Sequence, residues 1–137
     1  EALTADEEAE DGDPESMTPS ERDDRSDQLA RVALRMLEED QLLAARRYAN
    51  RALRMYDRNP QALAAKAKVH IRAQEGEAAV RYARRATQVR SRRARYQVLL
   101  GDAYRVNEQN GLANRAYRKA LELDPDNRDA RRRLSGG

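Results

Sequence analysis

From Ser26 onward the chain repeats itself every 34 residues without a gap, and no other feature limits its fold so tightly. Three rows, Ser26–Asn59, Pro60–Arg93 and Ala94–Asn127, agree wherever space would be scarce. Position 8 holds Ala33, Ala67 and Gly101; position 20 holds Ala45, Ala79 and Ala113; position 27 holds Ala52, Ala86 and Ala120. Position 11 carries Met36, His70 and Tyr104, and position 30 carries Met55, Val89 and Leu123. One stretch recurs almost whole, as Arg47-Tyr48-Ala49-Asn50-Arg51-Ala52 and Arg81-Tyr82-Ala83-Arg84-Arg85-Ala86. Each row divides into two amphipathic helices, over positions 2–14 and about 18–31, with short polar connections. Small residues at 8, 20 and 27 let those helices approach closely, and a bulkier side chain there would overpack at a cost of about 1–3 kcal/mol. The rows end in turns, Tyr56-Asp57-Arg58-Asn59-Pro60, Arg90-Ser91-Arg92-Arg93 and Asp124-Pro125-Asp126-Asn127, that stop one helix and cap the next. Thr18-Pro19-Ser20-Glu21 reads as a helix start, with a hydroxyl cap, proline in the first turn and Glu three residues after the cap.

Composition fits thin layers better than a thick globule. The 137 residues suit one domain or a short repeat array. They are 39% hydrophobic and 37% charged, with no Phe or Trp, so the core must be built from Ala, Leu, Val, Met and six Tyr. The absence of Cys excludes disulfides and thiolate chemistry, and a single His excludes a histidine metal cluster. No apolar run reaches membrane-spanning length and no signal peptide is visible, which points to a cytoplasmic location. The chain opens at Glu1 rather than Met and so reads as a fragment or processed form, whose upstream signal or anchor would lie outside it.

The columns resemble those of the tetratricopeptide-repeat (TPR) family. The third row matches best, with Leu100, Gly101, Tyr104, Ala113, Tyr117, Ala120 and Pro125. The first two rows depart from the pattern: Ala49 and Ala83 replace the aromatic at 24, Asp57 and Ser91 replace the proline at 32, and Lys66 stands where Leu is expected. The resemblance implies an all-α TPR-like solenoid of three antiparallel helix pairs (26–59, 60–93, 94–127) within residues 18–127, followed by a partial capping helix and tail at 128–137. In that last segment only Ala130 and Leu134 would cover the apolar face of the third pair. The expectation is either that the natural chain continues or that two copies meet end to end as a homodimer. The Arg-rich, Ala-rich composition and the Leu121-Glu122-Leu123-Asp124-Pro125 run are similar to TPR segments appended to larger bacterial proteins.

Charge is unevenly placed. Residues 1–25 hold eleven acids against Arg22 and Arg25, while 24 of the 27 basic residues in the chain are arginine. Residues 1–17, acidic and free of aromatics, are expected to be a disordered linker. The other reading has this segment folding back over its own basic domain, in a contact that salt screening would keep transient.

Catalytic chemistry finds no foothold. His70 falls in a core column, with Glu75 and Glu77 as its nearest acids along the chain. Asp124, Asp126, Asn127 and Asp129 lack the Gly and closing Glu of a calcium loop. Gly76, Gly101 and Gly111 are isolated. The chain therefore reads as a non-catalytic protein-interaction module with no cofactor or metal. In a TPR stack positions 2, 5, 9, 12 and 13 of the first helices face the concave side. The expected partner-binding residues are an apolar strip of Leu34, Leu37, Ile71, Val98 and Val106 flanked by Lys68, Arg72, Arg95 and Arg105. That surface suits a partner peptide or helix with apolar anchors and acidic flanks. The family's clamp for a C-terminal carboxylate needs Lys at 5 and Asn at 9 of the first row, where Ala30 and Leu34 stand. Two alternatives use other surfaces: an arginine-rich wall (Arg46, Arg47, Arg51, Arg54, Arg81, Arg84, Arg85, Arg115, Arg118) binding nucleic acid or another anionic surface, and a self-assembly element. Against nucleic acid, no exposed aromatics are interleaved with these arginines for base stacking.

Overall fold

The computed structural model describes residues 3–136, so Glu1, Ala2 and Gly137 of the segments discussed above lie outside the described residues. The elements are α1 Ala5–Asp11, α2 Pro19–Glu38, α3 Leu42–Met55, α4 Pro60–Arg72, α5 Gly76–Val89, α6 Ala94–Val106, α7 Asn110–Leu123 and α8 Arg128–Leu134, with one 3-10 turn at Pro14–Ser16. No strand occurs among the described residues. The helices keep the 34-residue register: α4 and α6 both fill positions 1–13, and α3, α5 and α7 all fill positions 17–30.

Local chemistry sets these bounds. Thr18 caps α2, accepting from the Glu21 amide at 3.1 Å while the Glu21 carboxylate accepts from the Thr18 amide. Asn59 caps α4 through its side-chain oxygen, and Asn127 caps α8 in the same way. Each first helix then ends on a residue of positive φ: Asp40 at 58°, Gln74 at 60° and Glu108 at 60°. The next amide reaches back to the carbonyl five residues earlier (Gln41 to Met36, Glu75 to His70, Gln109 to Tyr104, at 2.8–2.9 Å), which is a Schellman closure repeated three times. This closure reverses the chain within three residues and sets the second helix against the first.

Helices α2, α4 and α6 neighbour one another along one side, and α3, α5 and α7 each pack on their own first helix and, for α3 and α5, on the next. The columns at 20 and 27 are buried in all three rows, as are Ala33 and Ala67 at position 8. Gly101 is the exception in kind. A Cβ there would stand 2.4 Å from Tyr117 Cε1, so the third row exchanges a methyl at position 8 for a ring at position 24. Lys66, placed where leucine is expected, is buried and donates to the Asn50 side chain with its ammonium 5.7 Å from the Tyr82 ring centre. The C-terminal helix α8 lies on α7 with Ala130 fully buried, and Arg133 grips Asp102 from 2.9 and 3.1 Å.

The acidic segment is not a disordered linker within the described residues. A Thr4–Glu7 capping box starts α1, and the helix folds back onto α3. Asp11 is buried and accepts from Nε and Nη2 of Arg51, both at 2.7 Å. Glu7 lies 3.8 Å from Arg47, Arg25 donates to the Glu10 carbonyl and Arg54 to that of Gly12. The expectation of disorder weighed apolar burial alone. Its anchor is the buried Asp11–Arg51 pair, whose charge-assisted hydrogen bonds are removed from solvent, where salt does not screen them as it does an exposed pair.

Candidate functional site

The inner side of α2, α4 and α6 encloses a groove. Its floor is Leu34, Ala64, Tyr96 and Leu99, and its rim carries Arg31, Lys68 and Arg95 around a recess of about 330 Å3. A second recess of about 400 Å3 continues from it past Gln61, Arg95 and Tyr96 toward Arg90 and Arg93, with Asp23 and Asp27 opposite. Among the described residues, no carboxylate lies within ion-pairing distance of Arg31, Lys68 or Arg95. Burial, together with the nearby cations Arg95 and Arg72, lowers the Lys68 ammonium from its usual pKa. Arg95 is steadied over the Tyr96 ring, 5.1 Å from its centre. The groove therefore has an apolar floor and a cationic rim without direct ion pairs, Glu38 and Asp102 acting on Lys68 only beyond contact distance.

No protein-family description matches the chain, and no curated protein does. Solved structures do. The chain is similar to part of a Thermobaculum terrenum O-GlcNAc transferase at 24% identity and TM-score 0.78, over 86% of this chain and 22% of that one. It thus spans about a fifth of that enzyme. It is similar to the first TPR of Spaghetti (RPAP3), bound to an HSP90 peptide, at 17% identity and TM-score 0.77, over 82% of this chain and 90% of that domain. The Arabidopsis OM64 TPR domain matches at 16% identity and TM-score 0.76, over 83% of this chain and 94% of that domain.

The fold is the TPR fold.

Against the TPR concave columns, the middle row delivers Gln61, Ala64 and Lys68 (positions 2, 5 and 9) to the groove. The outer rows deliver others. From the first row come Arg31 and Leu34, positions 6 and 9; from the third, Arg95, Tyr96 and Leu99, positions 2, 3 and 6. Arg31, Tyr96 and Leu99 were not among the expected partner-binding residues. The TPR columns describe a helix seen face-on, whereas α2 and α6 stand on either side of α4 and turn their flanks to the same space.

Of the nine expected residues, the groove brings together Leu34, Lys68 and Arg95. Leu37 and Val98 belong to the packed interior and line neither recess. Ile71 is half-buried against the same core. Arg72 donates to the Leu37 carbonyl at 2.6 Å and to Asp40 at 3.1 Å, which closes the end of α2. Arg105 donates to the Arg133 carbonyl and lies over the Tyr117 ring, and with half-buried Val106 it sits toward the C-terminal end of the stack. The expected strip is thus divided between groove, core and helix closures.

His70 is half-buried, stacked on Tyr82 with ring centres 5.5 Å apart, and its Nδ1 lies 2.8 Å from Glu75, which also accepts from Arg46. Burial holds its pKa below the ordinary histidine value, outweighing the opposing pull of Glu75. This arrangement ties the turn between α4 and α5 to α3. No helix among the described residues is long and apolar enough to cross a membrane.

Proposed function

We propose that this chain is a non-catalytic interaction module that holds a partner segment of acidic, amphipathic character in the α2–α4–α6 groove. The observation that carries the reading is the crowding of Arg31, Lys68 and Arg95 around an apolar floor, with no carboxylate among the described residues in ion-pairing contact with any of them. Desolvation first, and the cations Arg95 and Arg72 second, depress the Lys68 pKa, and an incoming carboxylate would offset both. Leu34, Tyr96 and Leu99 supply surface for one or two apolar anchors, as in helix-in-groove docking. Similar TPR domains were solved with peptides bound, an HSP90 segment on one and an HSP70 segment on another, which supports a peptide-sized ligand. The residues at positions 5 and 9 of the first row, Ala30 and Leu34, argue for recognition along the segment rather than clamping of a terminal carboxylate.

The test begins with a ligand selected from a peptide display library on the intact chain. Lys68→Glu with Arg95→Glu should weaken its binding by ~10-fold or more, mainly through a slower, salt-sensitive association. Arg118→Glu, on the outer wall, should leave it unchanged. Equal affinity for the groove double variant would place the binding elsewhere.

A further inference from the structure

The chain has only three lysines, and their surroundings differ. Lys66 is buried and donates to the Asn50 side chain. Lys119 is exposed on α7, 3.9 Å from Glu122. Lys68 stands on α4 in the inner recess of about 330 Å3, which no carboxylate lines. Arg31 of α2 and Arg95 of α6 open into the same recess, against apolar walls of Leu34, Ala64 and Leu99.

An amine becomes a nucleophile where its charged form is deprived of water or set beside other cations. Lys68 meets both conditions. Solvent reaches its side chain. Even so, desolvation by the recess first, and the cations Arg95 and Arg72 second, lower its pKa against the weaker pulls of Glu38 and Asp102. A larger share of Lys68 is then neutral amine at a given pH. The guanidinium groups also select what reaches that amine, because their paired N–H donors match phosphate oxygens. Among the described residues, neither Arg31 nor Arg95 is ion-paired, and Arg95 is kept over the Tyr96 ring.

We propose that Lys68 is an acylation site for small acyl phosphates, whose phosphate group Arg31 and Arg95 hold. The Lys68 nitrogen attacks the acyl carbon. Its C–N bond forms as the C–O bond to phosphate breaks, and the proton lost by nitrogen leaves on the departing phosphate. The products are an uncharged amide and inorganic phosphate, with nothing oxidised or reduced. Acylation deletes one positive charge from this rim. Weaker binding of an acidic segment would follow, and that consequence rests on the function proposed above, whereas the acylation does not.

The probe is acetyl phosphate, incubated with the intact chain at mildly alkaline pH, with acetylation at each lysine followed by mass spectrometry. Lys68 should be modified ~10-fold or more faster than Lys119. Excess inorganic phosphate should remove most of that preference, and chloride at equal ionic strength should not. Arg31→Gln with Arg95→Gln, two exposed positions, should slow Lys68 by ~10-fold and leave Lys119 unchanged. Acetic anhydride, which carries no phosphate, should show a smaller preference for Lys68. Any of three results overturns the proposal: acetylation of Lys68 no faster than that of Lys119, a preference that excess phosphate and the double variant leave intact, or the same preference with acetic anhydride. The last would mean a reactive amine without a phosphate site.

Discussion

Gly101 and Tyr117 fill columns where both other rows carry alanine, and each depends on the other. Tyr117 is fully buried and its hydroxyl donates to Asp102 at 2.7 Å, so the ring has no freedom to retreat. Gly101→Ala should therefore destabilise the fold by about 1–3 kcal/mol through overpacking. Adding Tyr117→Ala should remove that clash, so that the two substitutions combine non-additively in urea denaturation. Arg118→Leu, on the exposed wall, is the suitable control. Arg84 is less suitable because it donates to the Tyr104 hydroxyl. His70 gives a pH signature at the same scale. Its folded pKa lies below its ordinary value of 6.5, so the unfolded chain takes up the proton first. Its contribution is complete above about pH 6.5 and declines as pH falls toward the folded pKa. Urea midpoints measured across that range should slope less in His70→Gln than in the parent. The column assignment of His70 was legible from the repeat. Its link to Arg46 through Glu75 was not, because nothing in a column says which residue the neighbouring turn presents.

Among the first helices of the stack and the C-terminal helix, α6 alone starts without a side-chain cap: Thr18, Asn59 and Asn127 serve α2, α4 and α8, while Arg93 stands before α6. Its backbone is already extended, at φ −98° and ψ 109°, so a capping side chain needs no rearrangement. Arg93→Asn should stabilise the fold by about 0.5–2 kcal/mol, seen as a higher urea midpoint. Elements and their ends were the most readable part of this sequence, since caps, turns and the 34-residue period are all local signals. The acidic helix shows the limit. Thr4-Ala5-Asp6-Glu7 carries the same capping-box spacing as Thr18-Pro19-Ser20-Glu21, and that spacing could have revealed α1. Its anchor, Arg51, lies forty residues away, where no local pattern reaches. Asp11→Asn should release α1, erasing amide protection over residues 5–11 in hydrogen exchange while leaving that of α4 and α6 intact. A simultaneous loss across the stack would mean that α1 is integral to the repeats.

At the scale of the whole molecule, stability in a stacked array is close to a sum over rows and the interfaces between neighbours. The inner groove belongs to no single row. Arg31 and Leu34 come from the first, Gln61, Ala64 and Lys68 from the second, and Arg95, Tyr96 and Leu99 from the third. For this reason the middle row's contribution could be read from the register and the flanking contributions could not: they depend on how far each pair turns relative to the next. Leu37 and Val98 show the same limit from the other side, as apolar residues in inward-facing columns that the neighbouring helix covers.

The exchange between Gly101 and Tyr117 also decides where this chain could be recombined. A crossover at a row boundary, Asn59/Pro60 or Arg93/Ala94, transfers positions 8 and 24 together and keeps ring and glycine, or alanine and alanine, in the same unit. A crossover at the turn inside a row separates them. Joining α4 to α7 would drive the Ala67 methyl into the Tyr117 ring, and joining α6 to α5 would leave Gly101 facing Ala83 across a void. The 34-residue row is thus the smallest segment that can be duplicated, deleted or exchanged without rebuilding its interior, and lengthening such an array by whole rows is the route its packing leaves open.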